Sequence, residues 1–129
     1  MTTTVGAALV AIVLSVTDGD TLRARVPRWS GTPLGVVGIR VLNLDTPESE
    51  VGQAKCAKEI VLGKQAKGYA ERLVPPNTRL RFFYKKPDKY GGRVVGSVTL
   101  PDGRDFATVM ISAGMGRPYD GKKKGSWCQ

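Results

Sequence analysis

Histidine is absent from this chain. That absence excludes Ser-His-Asp and Cys-His catalysis and every zinc site that uses imidazole. A general base must therefore be a carboxylate, a lysine, a tyrosine or a cysteine. Cysteine is scarce: Cys56 and Cys128 are the two present, too few for a disulfide scaffold or a four-thiolate zinc site. The sequence leaves open whether they pair or stay free. Long apolar runs are missing as well. The Val5–Val16 stretch is too short to span a membrane, and no positive charge precedes it as in a signal peptide. It runs straight into Thr17-Asp18-Gly19-Asp20, and its Val, Ile and Leu content reads as a buried β-strand. There is no internal repeat and no linker. Acid is in the minority, with 11 Asp and Glu against 20 Lys and Arg, a formal net charge of +9.

The 129 residues, 41% of them hydrophobic, are enough for one domain with a real core, over 1–129, with 117–129 as a basic tail. The positive balance predicts attraction to nucleic acid or to an anionic surface. Strand-like segments are expected at Val5–Val16, Thr21–Val26, Gly35–Leu44, Thr78–Tyr84 and Arg93–Leu100. The Asp18-Gly19 turn joins the first two, and Pro27 to Leu34 reads as a loop. Residues from about Gly52 to Leu73 have helical composition, stopped by Pro75-Pro76-Asn77. A short helix is expected over Asp105–Ala113, closed by Gly114. The predicted fold is mainly β with helices (α+β): a five-stranded oligonucleotide-binding-type (OB-fold) barrel, with a long helix after the third strand and a short C-terminal helix.

Within this basic chain two short motifs each carry two acids, Asp18-Gly-Asp20-Thr21 and Asp45-Thr46-Pro47-Glu48, the second preceded by Arg40. Asp20 and Asp45 end or follow neighbouring strands. Two carboxylates and a backbone carbonyl form a half-shell for Ca²⁺ or Mg²⁺, with water completing it. The competing account is that both simply make turns, as Asp-Gly commonly does. Glu48 is placed to take a proton from water, or else serves as a helix-start acid. Arg40 stands in an apolar run and needs an anionic partner. That partner is a phosphate, gripped through two nitrogens, or one of the aspartates in a structural ion pair. Arg93 follows a Gly-Gly turn and can reach the same phosphate from the other side. Lys89, Tyr90 and Tyr119 are candidate substrate contacts. Lys122 to Lys124 add unspecific attraction to phosphate, and Trp29 and Trp127 read as packing residues.

These motifs occur in a set order: Asp-Gly-Asp-Thr, then Arg-x4-Asp-Thr-Pro-Glu, then Asp-Lys-Tyr-Gly-Gly-Arg, then Gly114-Met-Gly-Arg-Pro-Tyr-Asp120 and Trp127-Cys128. In that order and spacing the chain resembles the staphylococcal (thermo)nuclease family, in its bacterial and phage form, from about Val5 onward. The resemblance implies a Ca²⁺-dependent endonuclease with little sugar specificity, which cuts the P–O5′ bond of DNA and RNA and leaves 3′-phosphates. It implies Asp20, Asp45 and the Thr46 carbonyl as metal ligands and Glu48 as general base. Arg40 and Arg93 would clamp the phosphate, and Lys89, Tyr90 and Tyr119 would contact substrate. Two departures stand out. The Asp88–Arg93 turn carries an extra glycine relative to the staphylococcal type, and the chain stops soon after Tyr119, without that protein's final helix.

A non-catalytic nucleic-acid-binding barrel is the alternative. Such a module has no need of Asp20, Asp45 and Glu48 together, which without a metal would repel phosphate. A structural or assembly role is a third reading, and no residue argues for it. The expected partners are DNA and RNA, single-stranded or frayed, with no membrane and with the protein a monomer. The expected compartment is the cytoplasm as encoded, or an oxidising one if the cysteines pair.

Overall fold

A computed structural model describes residues 8–89, 91–120 and 125–128. The first strand, β1, covers Leu9–Asp18, and a tight turn at Gly19 leads into β2, Thr21–Arg25. One 3₁₀ turn at Pro27–Trp29 precedes β3, Val36–Val41. Then follow β4 (Leu44–Asp45), the long helix α1 (Ala57–Leu73), β5 (Arg79–Pro87), β6 (Arg93–Thr99), the short helix α2 (Phe106–Ser112) and β7 (Arg117–Pro118).

Five strands close into a barrel in the order β1-β2-β3-β6-β5, with β5 pairing back onto β1. Strand β6 runs parallel to β3, and the other barrel pairs are antiparallel. Alternation sets which face of each strand is wet. On β2, Leu22 and Ala24 are buried while Arg23 and Arg25 are exposed. Leu22, Ile39, Leu80 and Phe82 fill the barrel, and Phe106 and Met110 of α2 join the same apolar cluster. Helix α1 contributes small side chains, Ala66 and Ala70, so its backbone can lie close to β1. The five barrel strands and two helices are those that the composition predicts.

The fourth strand, expected to end at Tyr84, runs on to Pro87 through a register shift between Tyr84 and Lys86, and three further boundaries differ from expectation. The expected first strand began at Val5; residues 1–7 lie outside the described residues, and the strand continues to Asp18. The expected third strand, Gly35–Leu44, is split. Asn43 takes a left-handed conformation (φ 66°), which Asn tolerates better than most residues. The chain therefore leaves the barrel, and Leu44–Asp45 pairs with β7 instead. The long helix begins at Ala57 rather than Gly52. Residues 50–54 form their own turn, with the Gln53 and Ala54 N–H groups donating to the Glu50 carbonyl. Cys56 is then extended, while the Glu59 carboxylate accepts the Lys55 N–H at 2.9 Å.

The basic tail is structured where it is described. Arg117 pairs with Asp45 across the β4–β7 ladder, and Cys128 is joined to Cys56 in a disulfide with a Cα–Cα distance of 6.0 Å. Lys122 to Lys124 lie outside the described residues. The bridge closes a sequence separation of 72, for which chain entropy predicts a stabilisation of about 4 kcal/mol. Paired Cys56→Ser and Cys128→Ser replacements are expected to lower the unfolding free energy in urea by about 2–4 kcal/mol. Equal midpoints for the two forms would show that the bridge contributes nothing to stability.

Candidate active site

The β1–β2 turn and the segment after β4 meet at the Asp20 side chain. Asp20 is 4% exposed. Its Oδ1 accepts the Thr21 hydroxyl at 3.0 Å and its Oδ2 accepts the Thr46 backbone N–H at 3.0 Å. Asp45 is 2% exposed, and its Oδ2 accepts the Trp127 indole N–H at 3.3 Å with Arg117 Nε at 3.6 Å. Two buried carboxylates thus belong to adjoining pieces of chain, each with a cationic neighbour. Among the described residues no three His, Cys, Asp or Glu side chains come together. The Thr46 hydroxyl oxygen is buried next to Asp45 without a hydrogen-bond partner.

Arg40 projects from β3 and is held by backbone. Its Nη1 donates to the Leu44 carbonyl at 2.6 Å and the Val41 carbonyl at 3.3 Å, and stands 3.5 Å from Asp20 Oδ2. The structural ion pair considered from sequence is therefore present. It occupies one guanidinium nitrogen only: Nη2 is buried and has no hydrogen-bond partner. Leaving such a donor unsatisfied costs about 1–3 kcal/mol. The Tyr119 ring lies 5.6 Å from the guanidinium carbon.

Arg93 begins β6, in the parallel pairing that also holds Arg40 on β3. Its Nε and Nη2 both reach Asp88 Oδ2, at 2.8 and 2.7 Å. The Asp88 carboxylate thus fixes the direction of the guanidinium despite the longer glycine turn. Arg40, Arg93, Lys89 and Tyr119 line one cleft of about 470 Å³, with Lys85 and Lys86 on its rim. The lining carries five basic side chains against two carboxylates, Asp88 and Asp120, so the cleft is net positive. Tyr90 lies outside the described residues.

Glu48 does not line that cleft. With Asp45 and Thr46 it lines a neighbouring recess of about 220 Å³, walled by Glu59 and by Gly125 to Cys128. Asp20 connects the two, being close to Arg40 on one side and bonded to Thr46 on the other. The Glu48 loop is held from below. Its N–H donates to Glu59 Oε2 at 3.1 Å, and the next residue, Ser49, donates its N–H and hydroxyl to Asp18 Oδ1 at 3.3 and 2.6 Å. Helix α1 passes directly beneath at Gly63, where a Cβ would come within 2.6 Å of the Ser49 nitrogen. A glycine that merely weakens a helix by composition is here a steric requirement.

Sequence reasoning missed these supporting residues: Asp18, Glu59, Arg117 and Trp127. Glu59 alone had a signal, as an acid in the first turn of a helix that can reach back to free N–H groups. The indole and Arg117 depend on the tail folding back. Arg117 stacks on Trp127, 3.8 Å from the ring centroid, and donates to the Gly125 and Ser126 carbonyls. Trp29 packs edge-on to Phe82 and Tyr84, as a packing residue should.

A family model described as "Staphylococcal nuclease homologue" matches residues 38–126. The chain is also 28% identical over 108 residues to a protein of Escherichia coli named "Uncharacterized endonuclease". That alignment covers 84% of this chain and 60% of the relative's length. Among the described residues, no helix is long and apolar enough to cross a membrane.

Replacing Glu59 by Ala removes the acceptor for the Glu48 and Lys55 N–H groups. The expected cost is about 2–4 kcal/mol of unfolding free energy in urea, with Glu59→Gln recovering part of it. A loss below about 0.5 kcal/mol would show that water replaces the carboxylate without penalty.

Proposed function

The chain belongs to the staphylococcal nuclease homologue family, and from that membership we propose that it is a metal-dependent endonuclease hydrolysing phosphodiester bonds of DNA and RNA with little sugar or sequence specificity. The observation that carries this reading is the half-satisfied Arg40. One nitrogen is anchored to backbone, while the other is buried without an acceptor on a cleft shared with Arg93. A guanidinium held in that way is matched to a phosphate oxygen.

Arg40 and Arg93 bind the scissile phosphate and offset the charge that grows on its oxygens in the transition state. The Glu48 carboxylate accepts a proton from the attacking water as the water oxygen bonds to phosphorus. The P–O5′ bond breaks, and the 5′ oxygen departs with a proton from solvent. Lys89 and Tyr119 contact the substrate from the cleft wall, and Tyr90 is assigned the same role. Asp20, Asp45 and the Thr46 carbonyl are the proposed ligands of Ca²⁺, or of Mg²⁺ or another divalent ion. Their chemistry fits a hard cation, because the donors are all oxygens and the Thr46 hydroxyl beside them is buried with no partner. When bound, such an ion supplies positive charge against the phosphate. Extended strands, single or frayed, suit an open cleft on a barrel better than a closed duplex does.

The test is cleavage of denatured DNA and of RNA by the purified protein with Ca²⁺, with Mg²⁺ and with chelator. Divalent-dependent cutting of both polymers is expected. Arg40→Ala and Glu48→Gln should each lower the rate on the order of 10²–10³-fold. Salt-sensitive binding without cutting would move the assignment to a binding module.

A further inference from the structure

A line of arginines leads out of the cleft across the outer face of the barrel. Arg23 and Arg25 on β2, and Arg79 on β5, are exposed, on the strand faces opposite the core residues Leu22, Ala24 and Leu80. Strand register puts them in sequence. Arg93 is paired with Gly38 on β3, and Gly38 with Arg23 on β2. Two residues further along β2, Arg25 is paired with Ile12 of β1, and Ile12 with Arg79 of β5. Directly paired residues point to the same side of a sheet. The path therefore runs Arg93, Gly38, Arg23, Arg25, Ile12, Arg79 over the barrel's outer surface, crossing all five strands and so winding round the closed barrel.

Two details show that this face is built rather than incidental. Gly38 is the gap in the path: a Cβ there would stand 2.8 Å from Arg93 Cγ, so the Arg93 stem lies over the residue that separates it from Arg23. Ile12 is only 8% exposed although it lies outside the core cluster. Its register neighbours are Arg25 and Arg79, whose aliphatic stems can cover it while their charges stay in water. Among the described residues, Arg23, Arg25 and Arg79 make no ion pair. Like charges on neighbouring strands oppose folding, and no carboxylate here offsets them. A polyanion would.

We propose that this arginine path is an extension of the substrate site, which binds backbone phosphates of the nucleotides flanking the one at Arg40 and Arg93. The inference rests on the nuclease reading and adds to it a footprint. Followed round the curved barrel surface at ordinary strand spacing, the path from Arg93 to Arg79 is about 25 Å long, the length of several nucleotides that wrap the barrel. Its contacts are to phosphate, so it raises affinity for longer strands without selecting sequence.

The experiment uses the triple variant Arg23→Ala, Arg25→Ala, Arg79→Ala, whose changes are all at exposed positions. Binding of labelled oligothymidylates of about three and about fifteen nucleotides is followed by anisotropy in chelator over a range of salt. The long strand should bind the variant about tenfold or more weakly, with the salt slope reduced by about 2, since each single-strand phosphate contact contributes about 0.7. The short strand should bind both proteins alike. An unchanged slope for the long strand would overturn the footprint while leaving the nuclease reading intact. Equal losses for both lengths would overturn it too, by placing these arginines at the cleft itself or in the fold. Failure of the unaltered protein to bind either strand would remove the nucleic-acid reading and the footprint together. Arginine-dependent binding to anionic lipid vesicles, with oligonucleotide binding unaffected, would reassign the face to a lipid surface.

Discussion

The Asp20 carboxylate holds together three segments that are distant in sequence. It belongs to the first hairpin, accepts the backbone N–H that follows β4, and lies 3.5 Å from the guanidinium of β3. Each contact makes the others possible. A carboxylate that is 4% exposed would be very costly to keep ionised without such partners. The guanidinium, anchored on two carbonyls, is in turn stabilised by the negative charge beside it. Asp20 thus ties Arg40, which lines the arginine cleft, to Thr46, which lines the Glu48 recess.

Around that junction the protein uses backbone more than side chains to fix position. Glu59 and Asp18, neither of them lining the arginine cleft, accept N–H groups of the Glu48–Ser49 segment from two directions. Gly63 lets the helix approach close enough for this to happen. The tail contributes from the opposite side, where Trp127 donates to Asp45 and is tethered by the neighbouring disulfide. Gripped in this way, the Glu48–Ser49 backbone is held within a narrow range of positions, as the base role proposed for Glu48 would need. The Cys56–Cys128 bridge fastens the described residues 125–128 back to the start of α1.

Charge is distributed by the same logic. Of the acids near the site, Asp20, Asp45 and Glu59 are buried, while Asp18, Glu48 and Asp88 are half-buried and Asp120 is exposed. On the barrel's outer surface Arg23, Arg25 and Arg79 are exposed and make no ion pair among the described residues, whereas Arg93 is paired with Asp88. Salt would weaken any attraction of these arginines for an anionic polymer over roughly a Debye length.

The sequence by itself determined the barrel and the residue types at the site. Alternating Val, Ile and Leu segments, turn residues and one Ala- and Lys-rich stretch fix elements locally, because periodicity and propensity act over a few neighbouring residues. The ordered acidic and arginine motifs likewise pointed to Asp20, Arg40, Asp45, Glu48 and Arg93. Only the tertiary structure decided how these residues are divided, with Arg40 and Arg93 in one cleft and Glu48 in the recess beside it. It also decided that Asn43 breaks the third strand, that Glu59 and Asp18 carry the Glu48 loop, and that Trp127 reaches Asp45. Asn43 apart, these depend on contacts between residues far apart in the chain. No local pattern encodes them, because a hydrogen bond across 82 positions exists only after the barrel has closed and brought its two ends together.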